Sequence, residues 1–292
     1  MIVMAKSKPV IWGRSFVAAI AFLAIASGAV AEKGGSNLAN LSDGGNDPVI
    51  IEANDGIEWR QKQRVYIARG NARAMRGDVS VTADTLTAHY RETGEGKTDI
   101  WKVVADGNVV ITSKDRRIEG DIGTYDVETG AFVLLGKNLR LSTPTETITA
   151  SDRIEYRSRE NIALIIGNAI AIRDDKKIKA NRFVALFREN QAGEIKLHQV
   201  DATGNVVIVT RNEIARADRG VYNATSGIAT LIGSVKLTRG DSQLNGARAE
   251  VDMNSGVSRL LADPSGKGRV RGLFMPGRDG NMKLQLPDGP KQ

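Results

Sequence analysis

The 292-residue chain has no cysteine, 41% hydrophobic and only 5% aromatic residues, and a formal net charge of +7. The missing cysteine excludes a disulfide framework, a thiolate metal site and a cysteine nucleophile. The positive excess is terminal: residues 1–31 hold Lys6, Lys8 and Arg14 without an acid, residues 264–292 hold six basic residues against Asp279 and Asp288, and the body between balances 32 basic with 32 acidic residues. A nucleic-acid binder needs a net basic face to displace counterions, so no nucleic-acid partner is expected.

The chain opens with those basic residues, an apolar run from Phe16 to Val30, and the small-residue pattern Ala29-Val30-Ala31. This layout predicts a secretory signal peptide over residues 1–31, cut between Ala31 and Glu32. The rival is an uncleaved anchor, but the run is about 15 residues, short of the roughly 20 that span a bilayer. With no cysteine after the run, a lipoprotein is excluded. Residues 32–47 are rich in Gly, Ser and Asn and read as a flexible lead-in.

From residue 48 to 262 the chain reads as one repeating β domain. Ala105-Asp106-Gly107-Asn108-Val109-Val110-Ile111 returns as Ala202-Thr203-Gly204-Asn205-Val206-Val207-Ile208, an offset of 97. Arg69-Gly70-Asn71-Ala72 and Ile166-Gly167-Asn168-Ala169 share that offset, as do Tyr125 and Tyr222. Units open at Gly70, Gly107, Gly136, Gly167, Gly204 and Gly233, so a three-unit block occurs twice. Each Gly-Asn pair reads as a turn ahead of an alternating strand. A second strand enters at an Asp step (Asp84, Asp121, Asp152, Asp218) and leads to an aromatic such as Tyr90, Tyr125 or Tyr222. Period-two alternation with frequent turns predicts an all-β stack of antiparallel sheets. A unit this small buries its apolar face only by stacking on its neighbours. Two inserts, over residues 95–102 and 193–199, read as an extra strand or a bulge with a flanking loop. Residues 263–292 are basic and rich in Gly and Pro and read as disordered, with residues 268–274 as a candidate last strand.

The sequence carries few groups arranged for chemistry. His89 and His198 do not occupy equivalent repeat positions, and neither a Gly-x-Ser-x-Gly elbow nor a His-x-x-x-His pair occurs. Gly94-Glu95-Gly96-Lys97 lacks phosphate-loop spacing and reads as a hairpin turn. The recurring Asp residues fit turns, where a short carboxylate bonds local backbone N–H groups. No catalytic residue, metal or cofactor is expected.

The order Pro48-Val49-Ile50-Ile51-Glu52-Ala53-Asn54, Gly70-Asn71-Ala72, Ala83-Asp84, Tyr90 and Gly107-Asn108-Val109 resembles the OstA-like, LptA-type family of periplasmic lipopolysaccharide-transport proteins. The resemblance covers about residues 48–262. It implies a twisted antiparallel β jelly roll with an open lipid groove that shields the acyl chains of lipid A. It also implies end-to-end self-association and a bridge from an inner-membrane complex with an LptC-like partner to an LptD-like outer-membrane translocon. Elementary physics agrees: at about 0.8 kcal/mol per exposed CH₂, a chain of about a dozen carbons needs a trough to cross water. Val49 and Ile51 match groove-facing positions of the family. Alternation adds Val79, Val81, Val109, Ile111, Val133, Leu135, Leu139, Leu141, Ile170, Ile172, Phe183, Val206, Ile208, Val235 and Leu237. Tyr90, Tyr125 and Tyr222 are expected to line or close the groove. The rivals are a structural or adhesive β-solenoid with a filled core, a β-solenoid polysaccharide enzyme, and the membrane-anchored partner of the same pathway.

Overall fold

The computed structural model describes residues 49–93, 97–191, 193, 195–211, 213–252, 257–262 and 269–273. The leader, the lead-in and most of the tail therefore lie outside the described residues. Within them the chain is antiparallel β, with a single 3₁₀ turn at Gln61–Gln63.

The strands follow in chain order: β1 Ile50–Glu52, β2 Gly56–Arg60, β3 Val65–Arg76, β4 Val79–Thr93, β5 Lys97–Ser113, β6 Arg116–Asp126, β7 Ala131–Leu135, β8 Leu139–Ser142 and β9 Glu146–Ala150. They continue as β10 Arg153–Arg157, β11 Ile162–Arg173, β12 Lys176–Glu189, β13 Ile195–Val209, β14 Ile214–Asn223, β15 Ile228–Arg239, β16 Ser242–Asp252, β17 Ser258–Leu261 and β18 Arg271–Leu273. The candidate last strand is thus β18, paired with Gln243–Asn245 of β16.

Each long strand serves two sheets. Residues 65–69 of β3 pair with β2, whereas residues 73–75 pair with β1. The break recurs along the stack, with β6 pairing β7 through one half and β8 through the other. Sheet I therefore runs through β1, β8, β9, β18 and one half of every long strand. Sheet II runs through β2, β7, β10, β17 and the other halves. The two sheets are joined along one edge, where the strands bend, and their hairpin turns line the opposite rims.

The bend explains the Gly-Asn pairs. They read as turns in sequence, because two consecutive left-handed residues usually close a tight hairpin. The structure puts them inside continuous strands. Gly107 and Asn108 have φ of +79° and +48°. Pairing there skips from Asp106 to Val109, so the extra residues form a bulge that bends and twists the strand. Only glycine fits at Gly107, since a Cβ would overlap the Asp84 carboxylate of the neighbouring strand. Asp84 in turn accepts a hydrogen bond from Asn108 Nδ2 at 2.9 Å. Asp121 lies beside Gly136, Asp152 beside Gly167 and Asp218 beside Gly233 in the same way, with Asn181 beside Gly204. The recurring carboxylates are thus corner supports.

Between the sheets lies one apolar core. Val109 and Ile111 of sheet I share it with Leu86, Ala105 and Leu134 of sheet II. Close to the bend the sheets approach most nearly and small residues fill the gap: Ala72, Ala169 and Ala180 have no accessible surface. Both sequence inserts resolve into β bulges in lengthened hairpins. Pairing shifts between His89 and Tyr90 opposite β5, and between Leu186 and Phe187 opposite β13.

Candidate functional site: an apolar trough present twice

Among the described residues two apolar cavities lie between the sheets, at the same place in the two copies of the block. The first holds about 350 Å³ and is lined by Ile51, Ala68, Val81, Leu86, Val103, Ala105, Ile111, Tyr125 and Phe132, among others. The second holds about 40 Å³ and is lined by Ile148, Ile165, Ile178, Phe183, Val200, Ala202, Ile208, Tyr222 and Ala229. An offset of 97 relates each residue of the first set to its counterpart in the second. Three exchanges add bulk to the second copy: Ala68 becomes Ile165, Val81 becomes Ile178 and Leu86 becomes Phe183. The walls of the second copy have grown into the trough. Only Phe132 to Ala229 among these pairs is a large reduction in size.

The first trough ends at exposed apolar surface. Val49, Ile51 and Ile57 line it and are 47%, 38% and 53% exposed. Arg76 of sheet I and Thr98 and Asp99 of sheet II stand at its rims, so an apolar floor meets a polar mouth. Asp99 is paired with Arg91 at 2.9 Å. On sheet II an aromatic row closes the end: Tyr66 lies 5.8 Å from Trp59 and 4.9 Å from Tyr90, and Trp59 Nε1 donates to the Tyr90 hydroxyl at 2.8 Å. The second copy keeps a shorter version, Tyr156 edge-on to Phe187 at 6.2 Å.

The sequence-derived groove residues divide into two groups. Val79, Val81, Val109, Ile111, Leu139, Phe183, Val206, Val235 and Leu237 are buried on the inner face. Leu141 and Ile208 pack against that core while partly exposed, and Val49 and Ile51 line the first trough. Val133, Leu135, Ile170 and Ile172 are displaced: they point outward. In β7 the inward residues are Phe132 and Leu134, 5% and 0% exposed, while Leu135 is 41% exposed. Every residue of Phe132-Val133-Leu134-Leu135 is apolar, so alternation could not choose the face. In β11 the inward residues are Ala169 and Ala171, and Ile172 is 39% exposed. Near the bend the narrow gap takes alanine and turns the larger isoleucines outward.

Tyr125 and Tyr222 line the first and second cavities. Tyr90 is buried in the aromatic row instead. Burial pushes the Tyr222 hydroxyl above its usual range. Sequence reasoning missed Ala68, Leu86, Ala105 and Phe132. The internal offset carried a signal for Leu86, the counterpart of Phe183.

Among the described residues the charged members of the first trough's lining, Arg76 and Asp99, stand at its rims, and the lining of the second holds none. His89 lies on the outer face with its ring 5.6 Å from Trp101, and burial followed by nearby Lys102 lowers its pKa. His198 Nδ1 lies 3.5 Å from the Thr225 hydroxyl. No cluster of His, Asp and Glu suited to a metal ion occurs among the described residues.

Two hinged sheets around an apolar trough define a binding site for something apolar. Comparison with known proteins gives the family. The model of the family described as "LptA/(LptD N-terminal domain) LPS transport protein" matches residues 51–162 and again residues 147–257. The chain belongs to that family, which is one of transport and binding, not of catalysis. The chain is 27% identical over 130 residues to an uncharacterized protein of Rhizobium meliloti (strain 1021), covering 43% of this chain and 69% of that one. Among solved structures it is similar to LptH of Pseudomonas aeruginosa, described as the LptA homologous periplasmic component of a conserved lipopolysaccharide transport device. That similarity has 11% identity, covers 78% of this chain and 96% of the other, and has a TM-score of 0.21.

Proposed function

We propose that the protein is a periplasmic bridge that carries lipopolysaccharide from the inner to the outer membrane, holding the acyl chains of lipid A in the first trough. The observation that carries this is the 350 Å³ apolar cavity at one end of the stack, set against 40 Å³ at the matching place in the second copy. An apolar trough of that size open to solvent is unfavourable unless covered, because its lining is left against water. Acyl chains fill it, and Arg76, Thr98 and Asp99 at the rims leave a polar headgroup in water.

The terminal strands support end-to-end joining. β1 and β2 are exposed along their whole length at one end, and β17 and β18 lie at the other. Among the described residues the outer edges of these strands pair with no further strand, and such edges add strands from a partner. In this reading an LptC-like protein meets one end, and an LptD-like translocon or a second copy meets the other. The segment 1–31 directs export and is removed between Ala31 and Glu32.

Mass spectrometry of lipid extracted from the purified exported chain tests the reading. Lipopolysaccharide is expected. Absence of lipid, or only glycerophospholipid, overturns it.

A further inference from the structure

The two copies of the block differ sharply on the outer face of sheet I, which plays no part in the trough. In the first copy Arg117 pairs with Glu119 at 2.8 Å, and Glu119 also sits opposite Arg140. The face is mixed in charge there. At the matching positions of the second copy, Ser80 is replaced by Lys177, Thr82 by Lys179 and Glu119 by Arg216, each at the offset of 97. Lys236 then stands directly opposite Arg216. Like charges directly opposed across two strands destabilise a sheet. The first copy builds the same fold without them, so folding does not require this arrangement.

Among the described residues none of Lys177, Lys179, Arg216 and Lys236 makes an ion pair. The acids that neighbour these strand halves along the chain sit in hairpin ends and at the corner: Asp174, Asp175, Glu213, Asp241 and Asp218. Of these, Asp175 is already paired with Arg211 at 3.1 Å. Aliphatic residues interleave with the cations. Ile170 and Ile172 flank Lys179 and Lys177 on one side, and Val207 and Val209 flank them on the other. The first copy has Arg73, Met75, Val110 and Thr112 at those positions.

We infer that this face of the second copy docks on an anionic phospholipid surface. Three of the four cations are lysines, point charges suited to phosphates in a fluid layer rather than to forked pairing with carboxylates. Rows of cations alternating with aliphatic residues meet an interface that is charged outside and oily just beneath. An acidic protein partner is the competing occupant. It is disfavoured because lysines outnumber arginine on this face by three to one. The inference does not rest on lipid in the trough.

The test is flotation of the full chain with phosphatidylcholine vesicles made with and without phosphatidylglycerol. The wild type is compared with a variant carrying the first copy's residues, Lys177→Ser, Lys179→Thr and Arg216→Glu. A charge-matched control, Arg182→Glu with Arg219→Glu, alters the outer face of sheet II instead. Leader and tail are identical in all three. The wild type should favour the anionic vesicles, and added salt should weaken binding. At about 1 kcal/mol per cation near an anionic surface, the sheet I variant should lose at least about tenfold in affinity and the control far less. Equal binding by wild type and sheet I variant overturns the inference, as does an equal loss in the control. Binding to polyglutamate in place of the vesicles assigns the face to an acidic protein and also overturns it. Unchanged circular dichroism melting separates lost docking from lost folding.

Discussion

Gly107 and Gly240 both hold positive φ, +79° and +53°, yet they differ in what surrounds them. A Cβ at Gly240 meets nothing within 4 Å, whereas at Gly107 it overlaps the Asp84 carboxylate. Gly240→Ala should therefore cost about 1 kcal/mol, the price of a left-handed L-residue. Gly107→Ala should cost more than about 2 kcal/mol, because the corner must also give way. Denaturant unfolding of the two variants separates them, and equal losses would remove the corner argument. Leu134 and Leu135 make a similar pair, 0% and 41% exposed. Leu134→Ala should cost about 3 kcal/mol and Leu135→Ala under about 1 kcal/mol. The reverse order would put the sequence-derived face back in place. Asp126 supplies a pH-dependent case. The Thr129 backbone N–H and then its hydroxyl hold the carboxylate below its ordinary 3.8. A depressed pKa adds stability above the unfolded value, and that stability is lost as pH falls through the folded one. The second copy has Asn223 at this place, with Oδ1 accepting from the Thr225 and Ser226 N–H groups. Asp126→Asn should thus keep the turn and gain on the wild type, in thermal melts, as pH drops below about 3.8.

At the scale of strands, the sequence disclosed the all-β architecture and the repeat, because β-branched alternation and an exact offset survive in primary structure. It disclosed the inner face wherever one set of alternating positions was apolar and the other polar, as at Val79 and Val81 or Val235 and Leu237. It failed at β7, where both faces are apolar, and at β11, where the inner face is alanine. Neither the inter-sheet gap nor the bend that narrows it is a local property, so neither is written into a strand's own pattern. The Gly-Asn pairs carried correct backbone information and the wrong context: left-handed residues were foreseeable, their place inside a strand was not. The two troughs give the prediction proper to this scale. Ala68→Ile with Leu86→Phe installs the second copy's wall in the first trough. It should leave the fold intact, since the second copy packs these residues, and should lower co-purified lipopolysaccharide several-fold. Ile165→Ala should cost about 2–4 kcal/mol by opening a cavity in a filled wall. A first-trough variant that retains full lipid would show that the space is not the lipid site.

As a whole the molecule is two copies of one family domain sharing a continuous stack. The family matches overlap at residues 147–162, the region of β9 and β10. Those strands continue the first copy through β7 and β8 and begin the second through β11. Fourteen strand segments per sheet, at about 4.8 Å each, make a stack roughly 60 Å long before twist is counted. In the proposed reading the wide first trough holds the lipid, while the filled second copy carries the outward cationic face. The most direct measurement of the central claim is photo-crosslinking in cells from Val81, from its counterpart Ile178, and from the outward-facing Ser80. The account predicts lipopolysaccharide adducts from Val81, fewer from Ile178 and none from Ser80. No adduct from Val81, or equal capture from Ser80, would contradict it.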